Sequence, residues 1–182
     1  MRRTLLALCL ALIPLTLSAQ EEAQPSDAVE PEAAMTLETL GQIITALDPE
    51  AKTNGAAWQM QVAGTTVFIV TDEGADRMRA MTPIVNSDEV TPEEMTRLMQ
   101  ANFDSALDAR YAIAQGMLWS TFIHPLSPLE KDQFISGLGQ AVNLVKTYGS
   151  LYSGGAMQFG GGDSNAIQRK LIDDLLKKGE EI

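Results

Sequence analysis

The chain has 182 residues, 45% of them hydrophobic, with 13 Lys and Arg against 24 Asp and Glu, a formal charge of -11 and one cysteine. That length suits one domain with appendages and excludes two large catalytic domains, and the lone cysteine excludes an intrachain disulfide or a Cys-based zinc or iron-sulfur centre. The excess of acids excludes a nucleic-acid binder, because neutralising phosphates takes a clustered Lys/Arg surface.

Residues 1–19 read as a signal peptide: Arg2 and Arg3, an apolar run from Leu5 to Leu17, then Leu17-Ser18-Ala19 before Gln20. This is a basic start, a short apolar core and a small residue at the cleavage point. The run is shorter than the ~20 apolar residues of a membrane span, so no integral membrane segment is expected after cleavage. Processing would remove Arg2, Arg3 and Cys9 and leave an exported, periplasmic chain with no thiol, held by its own core. Residues 20–35 (QEEAQPSDAVEPEAAM) carry five acids, two prolines and no base. They read as a disordered acidic leader, because so little apolar surface does not repay ordering.

Thr36 is expected to cap a helix in which Leu37, Leu40, Ile44 and Leu47 form one stripe, ended by Asp48-Pro49. Trp58, Met60 and Val62 alternate with Gln59 and Gln61, the period of a strand with one wet face. Gly64 gives a turn into Thr65–Thr71 (TTVFIVT), which is apolar on both faces at its centre and predicts a well-covered strand. Asp72-Glu73-Gly74 turns into a third strand within Arg77 to Val85, where Met78, Ala80 and Ile84 oppose Arg77 and Arg79, expected to end near Pro83.

Thr91-Pro92-Glu93-Glu94 carries the signature of a helix start, followed by Met95, Leu98, Met99, Asn102 and Phe103 on one face. Arg110 to Ala114 and Met117 to Ile123 read as a hairpin across Gln115-Gly116. Ser127-Pro128-Leu129-Glu130 repeats the capping pattern and opens the longest predicted helix, with Phe134, Leu138, Ala141, Val145, Tyr148 and Tyr152 in register. Gly137 and Gly139 weaken that helix and predict close approach to another element. Residues 153–164 read as a Gly-rich linker, and residues 165–179, with Ile167, Leu171, Ile172, Leu175 and Leu176, as an amphipathic helix.

The order of elements, with Thr71 to Pro83 (TDEGADRMRAMTP), the helix bearing Asn102-Phe103 and Asp108 to Leu129 (DARYAIAQGMLWSTFIHPLSPL), resembles the YbjN-domain family and, through it, the fold of class I type III secretion chaperones. The resemblance covers residues 36–152. It implies a compact α+β domain, often a homodimer, that binds other polypeptides without nucleotide or other cofactor. Secretion chaperones are cytoplasmic, whereas this leader addresses the chain for export.

Catalytic motifs are sparse. His124 is the lone histidine and reads as structural at a strand end. Ser136 lacks the flanking glycines of a nucleophile elbow. Asp72, Glu73 and Asp76 lack the alternating ligands of a calcium loop and read as a solvated turn, so no metal site is expected. Carboxylate pairs for glycoside hydrolysis need no sequence proximity, and with 24 acids a chance pair is no evidence of one.

The positive hint is apolar surface: Met117, Trp119 and Ile123 share one face of a strand and Leu118 and Phe122 the other. The expectation is therefore a non-enzymatic binding module, chaperone-like, holding apolar polypeptide segments on a sheet face built from Trp58, Met60, Val62, Met117, Trp119 and Ile123. The C-terminal helix would serve as its lid or dimer arm. The alternatives are a structural or regulatory envelope component in an obligate complex, and a hydrolase with an unrecognised carboxylate site.

Overall fold

A computed structural model describes residues 32–104, 106–149 and 166–182. The signal peptide, most of the acidic leader, the Gly-rich linker and Tyr152 lie outside these residues. Helix α1 (Leu37–Leu47) is followed by strands β1 (Lys52–Thr53), β2 (Ala57–Val62), β3 (Thr65–Asp72) and β4 (Arg77–Asn86), then helix α2 (Pro92–Asp104). Strands β5 (Arg110–Ala114) and β6 (Met117–His124) lead to helices α3 (Lys131–Thr147) and α4 (Ala166–Gly179). The fold is α+β, with one six-stranded sheet in the order β1-β2-β3-β4-β6-β5, antiparallel at every pairing.

Local chemistry explains most boundaries. Thr36 accepts a hydrogen bond from the Thr39 amide at 3.1 Å and caps α1, which buries Leu40, Ile43, Ile44 and Leu47. Both two-residue hairpins place positive φ at each turn position, 49° and 77° at Ala63-Gly64 and 52° and 74° at Gln115-Gly116, the twist-matched type I′ geometry. Thr91 and Glu94 exchange backbone and side-chain bonds at the start of α2. Met35 is buried and its amide bonds to the Ser127 carbonyl at 3.0 Å, so Met35, expected in the leader, belongs to the packed domain.

Four expectations are corrected. Strand β4 runs through Pro83 to Asn86, because a bulge between Pro83 and Val85 absorbs the missing N–H. Helix α3 starts at Lys131 and is capped by Glu130 with Gln133, while Ser127 gives its amide and hydroxyl to the Asp76 carboxylate at 2.7 and 2.9 Å. The α2 face divides: Leu98 and Ala101 are buried, but Met99 and Phe103 are 50% and 72% exposed, since α2 lies along the sheet edge and covers only a narrow stripe. Strand β3 is covered on one side alone, with Val67 and Ile69 buried and Val70 41% exposed.

Helix α3 is buried nearly all round, which a single stripe does not explain. A Cβ on Gly137 would lie 2.5 Å from the Phe122 ring of β6, and one on Gly139 would lie 2.8 Å from Ile172 of α4. Two residues turn a helix by about 200°, so these glycines face opposite sides. They seat α3 between the sheet and α4. Lys131 and Lys178 tie α4 further, bonding through their ammonium groups to the carbonyls of Gly179 and Leu47. Helix α4 therefore docks on α3 and α1, on the helix side of the sheet, and is no lid over the opposite face.

Candidate functional site

Among the described residues α1, α3 and α4 pack on one side of the sheet and α2 along its edge, so strand parity decides which side chains these helices leave uncovered. Trp58, Met60, Val62, Val67, Ile69, Met78, Ala80, Leu118 and Phe122 point into the helix layer and are buried. Their neighbours in sequence form the other face, and the register aligns them in rows. One row is Ala57, Val70, Arg79 and Ile123; the next is Gln59, Phe68, Met81 and Thr121; a third brings Pro83, Trp119 and Ala112 together. Ile123 is 51% exposed.

Two adjoining concavities mark this open face. One, of about 240 Å³, is lined by Met81, Ala112, Ala114, Trp119 and Thr121; the other, of about 400 Å³, by Val70, Asp72, Arg77 and Met81. Arg79 and Ile123 line both. The Trp119 ring is oriented by its indole N–H, which donates to the Ala114 carbonyl at 3.0 Å.

Side chains take some of the backbone groups at both sheet edges. On β5, Asn102 of α2 donates to the Tyr111 carbonyl at 3.0 Å and accepts from the Tyr111 amide at 2.7 Å, and Gln140 accepts from the amides of Asp108 and Ala109. On the far side, β1 pairs with part of β2 and Asp48 accepts from the Gln61 amide at 2.7 Å. These bonds cap backbone groups that an added strand would need. Ile113, further along β5, is 46% exposed.

A third cleft, of about 620 Å³, lies between the open end of the β5–β6 hairpin and the first turns of α3. It gathers Asp108, His124, Asp132 and Ser136, residue types that could serve hydrolysis. Their bonds run elsewhere: Gln140 donates to both Asp108 and Ser136, and His124 Nδ1–H donates to the Pro125 carbonyl at 2.8 Å. Among the described residues no serine–histidine or histidine–carboxylate bond forms there, and no group of three His, Cys, Asp or Glu is placed to hold a metal. His124 also stacks on Phe122, with ring centroids 6.0 Å apart.

Asp76 is a latch in the β3–β4 turn. The Ser127 amide, then the Ser127 hydroxyl, hold its carboxyl below the usual aspartate range, with the Leu126 amide and Arg77 acting the same way against a small desolvation. The Thr91 amide and hydroxyl lower Glu94 similarly. Both groups are structural.

The six predicted binding residues are split by the fold. Trp58, Met60 and Val62 belong to the core, with Trp58 packed on Gly41 of α1, whereas Met117, Trp119 and Ile123 lie on the open face. Phe68, Val70, Arg79 and Met81 join them there and were missed. Alternation within each strand could have placed them on a common side, but which side stays uncovered depends on helix packing.

No family model matches the chain, and none of the curated proteins matches it. Among solved structures it is similar to a HopA1–SchA chaperone–effector complex, at 7% identity and a TM-score of 0.46, over 60% of this chain and 91% of that one. It is also similar to the ExsC–ExsE complex, at 10% identity and a TM-score of 0.48, over 63% of this chain and 96% of that one. At those levels no residue correspondence follows. No helix among the described residues is long and apolar enough to cross a membrane.

Proposed function

We propose that this protein is a non-enzymatic, chaperone-like polypeptide-binding module that holds apolar segments of other chains on the open face of its sheet. The observation that carries the reading is the patch formed by Phe68, Val70, Met81, Trp119 and Ile123, which no helix among the described residues covers. Burying such a patch is worth roughly 25 cal/mol per Å² of apolar surface before the cost of association. Met81 and Trp119 suit varied partners, the first by adaptability and the second by its large flat surface.

In this reading residues 1–19 direct export, the protein works in the periplasm, and the YbjN-domain family is its kin. Met99 and Phe103, one turn apart on the outer side of α2, offer a second apolar contact through which a homodimer would form. The decisive experiment compares wild type with Met81→Asn and Ile123→Asn in binding an apolar peptide, read by Trp119 fluorescence and labelled-peptide anisotropy. Binding should fall at least tenfold in the double variant with thermal stability retained. Unchanged affinity would remove the open face as the site. Crosslinking in cells separates this reading from an obligate envelope complex: many clients favour binding in turnover, one stoichiometric partner the complex.

A further inference from the structure

We infer that the segment accepted by the open face is acidic as well as apolar, an inference that rests on the polypeptide-binding reading and narrows it. The whole chain carries a charge of -11, yet its strands hold the opposite balance. They contain four cations, Lys52, Arg77, Arg79 and Arg110, and one acid, Asp72, and strand parity puts all five on the uncovered side. An acidic protein with a cationic face has a directed field there.

The four cations are not equivalent. Arg110 donates to the backbone carbonyls of Leu107 and Ala109, and Arg77 faces the Asp72 and Asp76 carboxylates across the β3–β4 turn. Arg79 makes no hydrogen bond or ion pair among the described residues, although it lies between Val70 and Ile123 in register and lines both concavities. A guanidinium set among apolar side chains is a weakly hydrated, forked donor matched to a carboxylate. An extended segment presents same-side residues about 7 Å apart. A glutamate or aspartate at position i would therefore meet Arg79 while apolar residues at i−2 and i+2 enter the flanking concavities.

The test uses the full chain and three labelled decapeptides of valine and leucine, identical except for a central Glu, Gln or Lys. By anisotropy in low salt, the Glu peptide should bind at least about fivefold more tightly than the Gln peptide, and the Lys peptide most weakly. That preference should vanish in Arg79→Gln and collapse in 0.5 M salt, where exposed charges are screened. Equal affinity for all three peptides would overturn the acid preference and leave the apolar-binding reading standing, whereas no binding of any peptide by wild type or by the leader variant below would sink that reading itself. A further arm replaces Glu21, Glu22, Asp27 and Glu30 by their amides. If peptides bind only in this variant, the face belongs to the chain's own leader and the inference of an acidic partner fails.

Discussion

Replacing Gly137 by alanine tests whether α3 is seated directly on the sheet. In an open helix the change would stabilise, because alanine exceeds glycine in helix propensity by about 1 kcal/mol. Here the new methyl would lie 2.5 Å from two carbons of the Phe122 ring and 2.7 Å from a third. Ordinary carbon contacts lie near 3.5–4.0 Å, so the shortfall is about 1 Å against a buried ring. Overpacking of this kind costs about 1–3 kcal/mol. After the propensity gain, Gly137→Ala should destabilise by up to about 2 kcal/mol, seen as a lower urea midpoint with unchanged slope in tryptophan fluorescence. In a Phe122→Leu background the ring is gone, and the same step should be neutral or stabilising, giving a coupling of about 2 kcal/mol in the double-mutant cycle. If Gly137→Ala stabilises wild type and variant alike by about 1 kcal/mol, α3 is not in contact with Phe122 and the layer order is wrong.

Thr82 and Ser120 face each other across β4 and β6 with buried hydroxyls that have no partner among the described residues. Thr82→Val keeps the shape and removes one unsatisfied group, so chemical denaturation should show a gain of about 1 kcal/mol, and a loss of that size would mean the hydroxyl is bonded after all. Asn102→Ala should cost about 1–3 kcal/mol by freeing the Tyr111 amide and carbonyl. Its sharper readout is hydrogen exchange: the Tyr111 amide should speed up with wild-type protection retained in β3, and unchanged exchange would deny that Asn102 closes the edge. Asp76 predicts acid sensitivity. Its carboxyl is lowered in the folded state, so its contribution is complete above the unfolded aspartate value and is lost as pH falls through the folded one, below about pH 4. Wild type and Asp76→Asn should therefore differ in thermal midpoint at pH 7 and converge towards pH 2; a gap that persists in acid would assign the effect to packing.

Much of the fold was legible because the relevant forces are local. The Thr36 cap, the Thr91–Glu94 box, the Gln115-Gly116 turn and the alternation of Trp58, Met60 and Val62 each need only near neighbours in the chain. The errors fall where a distant partner wins. Ser127 matches a capping pattern, but Asp76 takes its hydrogen bonds from 51 residues away. Pro83 looks like a strand end, but pairing with β6 carries β4 past it through a bulge.

The candidate site follows the same division. By itself the sequence determined that Trp119 and Ile123 share a side of their strand and that Arg77 and Arg79 share a side of theirs, because a strand's period of two is a property of the backbone. It also determined the acidic balance against which a cationic face stands out. Only the tertiary structure decided that these two sides form one surface, that Trp58 and Met60 lie on the other, and that α4 packs behind α3 rather than over the opening. Those outcomes depend on register and on which face the helices bury, and both are set by contacts between residues far apart in the chain.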